Sequence, residues 1–241
     1  MDITFDLAAT GFSATNARAC MALSRLAYDD PPDIVCAATD TQVIIRDCGK
    51  ALGIGFRGTT NLRDFIMDAK AWHRRSDVYG FHTGIYEALA SVFEPLQNHI
   101  LALPPKPMFI TGHSLGGGEA MLFAFRWIMP GAPIQGVYTF GQPRIGNRAF
   151  AAAYNRDYRD RTFRFVNGED IVPRLPGWLM GYHHAGLEEF FTAEGPLIQN
   201  PSLGRKLISD GVGTYHDCTQ GKLAQAADHH LIQYAYKVDA I

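Results

Sequence analysis

Between Lys106 and Met129 the chain reads KPMFITGHSLGGGEAMLFAFRWIM: a short apolar run, a sharp turn at Ser114, then apolar residues at helical spacing as far as Pro130-Gly131. No other feature constrains the fold as strongly. A buried strand that passes straight into a helix must have that helix folded back over its own sheet. The alternation recurs along the chain. "ATNARACMALSRLAY" is a helical pattern that ends near Asp29-Asp30-Pro31. "TQVIIRDCGKALGIGFRGT" reads as a hairpin with its turn at Asp47 to Lys50. "HTGIYEALASVFEPLQNHILAL" is helical, although Pro95 should kink or split it. "PIQGVYTFGQP" and "RTFRFVNGED" are two more strands, and "LAQAADHHLIQYAYKV" carries a last helix. Strands alternating with helices predict an α/β fold whose mostly parallel central sheet is flanked by helices.

With 241 residues, 47% of them hydrophobic, and no repeat or linker, the chain reads as one domain over 1–241. Its 22 Lys+Arg and 24 Asp+Glu are interspersed, which excludes a nucleic-acid or polybasic membrane patch. No apolar stretch approaches the ~18 residues of a transmembrane segment. The acidic start "MDITFDL" lacks the apolar core of a signal peptide, so a cytoplasmic protein, or a secreted one already processed, is expected. Cys20, Cys36, Cys48 and Cys218 are scattered without metal-ligand spacing and read as free thiols.

In a parallel sheet the functional positions lie past the carboxyl ends of the strands, here after Phe56, Ile110, Phe140 and Val166. Ser114 sits there in a G-x-S-x-G spacing between strand and helix, the setting of an activated nucleophile on a strained turn. Its hydroxyl needs a base, and the base an orienting acid. Both should follow it in the chain. Glu169 and Asp170 occupy the end of a later strand, and Asp170 is the favoured acid. Five histidines follow: His183, His184, His216, His229 and His230. His229 and His230 stand at a helix start with Asp228 as expected N-cap, while His183 and His184 lie close enough to Asp170 to compete. An oxyanion hole would take the backbone N–H of Leu115 and that of Thr59 after an early strand.

Taken in order, "FRGT", "FHTGI", "TGHSLGG", "VYTFGQPRIGN", "FRFVNGEDIVPRLP", "GYHHAG" and "DHHLIQY" resemble the class 3 lipases, a branch of the α/β-hydrolase fold. The resemblance runs from about Phe56 to Tyr234. It implies nucleophile Ser114, acid Asp170 and oxyanion donors Thr59 and Leu115. It also implies a bacterial-type member, whose "D-H-x-x-x-x-Y" selects His229 as base, whereas the fungal pattern would select His230. The implied activity is hydrolysis of carboxylic esters, acylglycerols first, with a lipid or other ester as substrate, an oil–water interface as its setting, and no metal or organic cofactor. A phospholipase A, an acyltransferase with the same residues and a non-catalytic binding scaffold are the alternatives. Residues 60–81 correspond to a lid-like segment, charged but with Phe65, Ile66, Met67 and Trp72 able to form an apolar face. Trp72, Phe81, Trp178, Leu179 and Met180 are candidates to contact the acyl chain. Glu119 departs from the family pattern and reads as a local polar contact.

Overall fold

The computed structural model describes residues 3–59, 73–75 (main chain), 78–127, 132–168, 170–192, 196–201 and 229–241. Helix α1 (Ala14–Asp29) starts at Ser13, whose hydroxyl accepts from the Asn16 N–H. The chain then enters strands β1 (Ile34–Cys36), β2 (Thr41–Asp47) and β3 (Leu52–Phe56), the last two forming the expected hairpin around the 48–51 turn. Strands β4 (His73–Arg75) and β5 (Gly80–His82) precede helix α2 (Thr83–Leu101). Strand β6 (Met108–His113) runs through Ser114 into helix α3 (Leu115–Arg126), followed by β7 (Ile134–Phe140). Short β8 (Gly146–Asn147), helix α4 (Arg148–Tyr158) and β9 (Thr162–Asn167) come next. After them lie β10 (Tyr182–His183), β11 (Leu187–Phe191), β12 (Leu197–Gln199) and helix α5 (Leu231–Asp239).

The main sheet has eight strands in the order β1-β2-β3-β6-β7-β9-β11-β12. Its central run from β3 to β11 is parallel, and the pairs at both edges are antiparallel. A smaller antiparallel sheet, β10-β8-β5-β4, stands beside it. This is the architecture that the strand–helix alternation predicts.

Because strand side chains alternate, the main sheet builds two cores. Ile54, Phe56, Ile110 and Val137 pack on the side of α2 and α3. Ile44, Phe109, Tyr138, Phe140, Phe163 and Phe165 pack against α1 and α5. The same parity places His113, two residues beyond Thr111, on the α1 side; Thr111 there bonds the Ser24 hydroxyl of α1 at 2.8 Å.

Pro95 does not split α2, contrary to expectation: the helix is continuous from Thr83 to Leu101 with the proline inside. The cost of an interior proline is about 3 kcal/mol. Ile85, Leu89, Val92, Leu96 and Ile100 of this helix are buried, each side chain contributing roughly 1.5–3 kcal/mol, so packing outweighs the lost hydrogen bond. Helix α5 begins only at Leu231, with His230 as N-cap and no side-chain capping bond; Asp228, the expected cap, lies outside the described residues. So does most of the lid-like segment, including Phe65, Ile66, Met67 and Trp72.

Candidate active site

The G-x-S-x-G spacing is explained by backbone crowding. A Cβ on Gly112 would lie 2.3 Å from the Gly116 carbonyl oxygen, and one on Gly116 would lie 2.4 Å from that of Phe56. Strand and helix therefore meet main chain to main chain, and only glycine fits. Between them Ser114 adopts φ 59°, ψ −127°, a left-handed conformation that costs a non-glycine residue of order 1–3 kcal/mol. Its N–H donates to Phe140 O at 2.8 Å, and its carbonyl accepts from Gly117 N–H at 3.0 Å, which hold the turn in place.

From this turn a continuous hydrogen-bonded chain leads to Asp170. His229 Nε2 lies 2.7 Å from Ser114 Oγ, and His229 Nδ1 lies 2.8 Å from Asp170 Oδ2. Asp170 is fully buried just past β9. Its Oδ2 also accepts from the Tyr234 hydroxyl at 2.6 Å, and its Oδ1 accepts from Val172 N–H at 2.9 Å. With its acceptors occupied, the carboxylate fixes Nδ1 of His229 as the protonated nitrogen and leaves Nε2 free to accept from the serine. Tyr234 is anchored in turn by the Asn167 N–H, which donates to its oxygen at 3.0 Å.

Among the described histidines of these five, His229 is the one bonded to Ser114. His230 is its exposed neighbour. His184 donates from Nε2 to Pro173 O at 2.7 Å, and His183 pairs in β10 with Gly146. His216 and Glu169 lie outside the described residues.

The turn after β3 lies against the serine elbow. A Cβ on Gly58 would meet Tyr28 Oη at 2.4 Å, the His113 carbonyl oxygen at 2.6 Å and Ser114 Cβ at 3.1 Å. Thr59, the one expected oxyanion donor, follows Gly58 directly in the chain, and Leu115, the other, opens α3 next to Ser114. Phe81 is 5% exposed and packs edge-on against Phe150 at 5.2 Å, which places its ring in the core. Trp178, Leu179 and Met180 form an exposed 3₁₀ turn at 67, 81 and 46% accessibility, standing on the surface and not in an enclosed groove.

Four residues around the site escape a reading of the motifs for their roles: Tyr28, His113, Gly141 and Tyr234. Gly141 has φ +62°, and a Cβ there would lie 2.9 Å from His229 Cε1 and 3.0 Å from Asp170 Oδ2. The glycine of "TFGQP" thus makes room for the His–Asp pair. Glu119, expected as a polar contact, is only 2% exposed, and its Oε2 has no hydrogen-bond partner. Burial, with the charge of Asp40 behind it, pushes its carboxyl well above the usual range, so the group is held neutral.

A mostly parallel sheet with a strained serine between strand and helix, bonded through a late histidine to an aspartate, defines an α/β-hydrolase. The chain belongs to the class 3 lipase family, which it matches over residues 53–180. It is 31% identical over 170 residues to a secreted mono- and diacylglycerol lipase of Fusarium solani, covering 68% of this chain and 50% of that protein. To a lipase of Rhizomucor miehei it is 32% identical over 174 residues, covering 66% and 46%. The chain thus spans about half the length of these curated relatives. Among solved structures, a Rhizomucor miehei triacylglyceride lipase aligns with a TM-score of 0.58 at 29% identity, covering 67% of this chain and 65% of that one. A triacylglycerol lipase whose catalytic centre is a serine protease triad aligns at 0.63 with 26% identity, covering 77% and 82%. Other relatives include plant and nematode lipases, and the expectation of a bacterial-type member is not borne out.

Proposed function

We propose that the protein hydrolyses carboxylic esters, acylglycerols first among them, through an acyl-enzyme on Ser114. The observation that carries this reading is the unbroken array from Ser114 Oγ through His229 to Asp170, at 2.7 and 2.8 Å. Ser114 Oγ attacks the ester carbonyl while its proton passes to His229 Nε2. Asp170 holds the ring and stabilises the imidazolium that forms. The tetrahedral oxyanion is received by the N–H groups of Thr59 and Leu115, each such donor typically worth about 3–4 kcal/mol. His229 then gives its proton to the departing alkoxide. Water repeats the sequence in reverse, with His229 as base, and frees the carboxylic acid. Names of the relatives support acylglycerols as the substrate class, and their lipid character supports an oil–water interface as the setting. In this reading the Trp178-Leu179-Met180 turn meets the lipid, and residues 60–81 serve as a lid.

Ser114→Ala tests the proposal with a dissolved p-nitrophenyl ester and a fluorophosphonate probe. Turnover and labelling of the purified protein should both disappear. Labelling at another residue, or retained turnover, would place the nucleophile elsewhere.

A further inference from the structure

His113, the residue before Ser114, lies on the α1 face of the sheet, the same side as Thr111 and its Ser24 partner. Its Nε2 lies 2.7 Å from the carbonyl oxygen of His229, and its Nδ1 lies 3.0 Å from the Tyr28 hydroxyl. A carbonyl only accepts, so Nε2 carries the proton and donates to His229 O. Nδ1 then accepts, and the Tyr28 O–H is its donor. The Tyr28 hydroxyl also packs against the oxyanion turn, where a Cβ on Gly58 would meet its oxygen at 2.4 Å. The two bonds are therefore directed: Tyr28 O–H to His113 Nδ1, then His113 Nε2–H to His229 O. Burial and the neighbouring His229 pull the His113 imidazole down to about 3, so it keeps this neutral tautomer across the working pH range. The His113 and His229 rings lie 4.7 Å apart at 30°, leaving no room between them for water.

These contacts reach three parts that the chemistry needs in register. Gly58 precedes Thr59 in the oxyanion turn, His113 precedes the nucleophile, and the His229 carbonyl belongs to the base itself. Asp170 holds the base by its side chain, and His113 holds it by its main-chain carbonyl. We propose that Tyr28 and His113 are positioning residues for the reaction, a relay that ties the base loop to the oxyanion turn through the strand bearing the nucleophile. This rests on the reading of Ser114, His229 and Asp170 given above. Helix α1 thereby takes part in catalysis from the face of the sheet opposite α3, without touching substrate.

The test uses Tyr28→Phe, His113→Ala, the two combined, and Ser114→Ala as reference, with steady-state kinetics on p-nitrophenyl butyrate and thermal melts. Loss of positioning should lower kcat about tenfold in Tyr28→Phe and up to about a hundredfold in His113→Ala. KM should stay within about twofold, since ground-state binding is untouched. Because the two residues act in series, the double variant should be no slower than His113→Ala. A His113→Gln variant, whose amide can accept from Tyr28 and donate to His229 O, should recover most of the loss. Parent-like kcat in Tyr28→Phe and His113→Ala, with Ser114→Ala inactive, would overturn the relay and leave the nucleophile standing. Losses that multiply in the double variant, or that appear in KM, would also overturn it. Should His113→Ala fail to melt cooperatively, Tyr28→Phe and His113→Gln decide the matter. Turnover in Ser114→Ala would instead defeat the reading on which the relay rests.

Discussion

A single carboxyl group, Glu119, sits where the nucleophile helix turns its apolar face to the core. Its Oε2 is unpartnered, burial disfavours its charge, and Asp40 adds repulsion. The neutral acid is therefore the only form the fold accepts, and this has a signed consequence for stability. The folded-state value is raised above the unfolded one. Below the unfolded value, about 4.5, both states hold the proton and the residue costs nothing extra. As pH rises beyond that value, the unfolded chain releases the proton while the folded chain retains it. Stability then falls, by at most about 1.4 kcal/mol per pH unit. Glu119→Gln keeps the shape and removes the titration. Its melting temperature should match the parent at pH 4 and exceed it by several degrees at pH 8. An equal difference at both values would mean that the carboxyl does not titrate with unfolding. Gly141 makes a complementary point at this scale, since its missing side chain is the space that the His229–Asp170 pair occupies.

Elements were the most legible level of the chain, and α2 shows where that legibility ends. Its apolar spacing marks a helix, but a proline in the middle argues locally for a break. What keeps it whole is the set of contacts on one face, which no window of neighbouring residues contains. Pro95 is exposed, and it denies the Ser91 carbonyl its helical donor. Pro95→Ala should restore that bond; the ~3 kcal/mol proline penalty is offset by ~0.4–1 kcal/mol of extra freedom in the unfolded chain. A net gain of roughly 2–2.6 kcal/mol, seen as a rise of several degrees in melting temperature, is expected. A fall would show that the ring makes contacts the helix needs. The candidate site divides in the same way. Ser114, Asp170, Thr59 and Leu115 could be placed because each is tied to a strand end or helix start beside it. Spacing left His229 and His230 open, with His183 and His184 as competitors, and only the resemblance selected His229, since one residue along a loop reverses which side chain faces in. Tyr28 and His113 are 85 residues apart, and His113 and His229 are 116 apart. Their contact is a product of sheet parity and packing and leaves no local mark. Phe81 illustrates the converse, because an aromatic in a short strand reads alike whether it lines a groove or fills the core.

At the scale of the whole molecule, the two faces of the sheet divide the labour. One face carries the nucleophile helix α3 and its packing partner α2; the other carries α1 and α5, from which the base and its supports are held. The reacting groups meet at the strand ends between them, and they are nearly closed to water: Ser114 is 2% exposed and His229 4%. Apolar surface appears instead on the loop that follows the acid. No charged side chain interrupts Leu175 to Tyr182, and Arg144 pins the base of this loop, its N–H donating to Leu175 O at 2.8 Å and its Nη1 to Pro176 O at 3.0 Å. A pinned turn that presents Trp178, Leu179 and Met180 to solvent gains little while dissolved, because burying each would be worth roughly 1.5–3 kcal/mol. An acyl layer offers that burial, and the indole of Trp178 suits the boundary between lipid and water. Replacing Trp178 and Leu179 together by Ser should therefore separate two substrates. The rate on emulsified triacylglycerol should fall about a hundredfold or more relative to that on dissolved p-nitrophenyl butyrate, since the loss of ~3 kcal/mol or more of lipid burial acts only where a lipid phase exists. Vesicle co-sedimentation of the Ser114→Ala protein, with and without the paired substitution, measures the same term without turnover. Equal losses on both substrates would assign the turn to the acyl site itself, and no loss on either would remove it from lipid contact altogether.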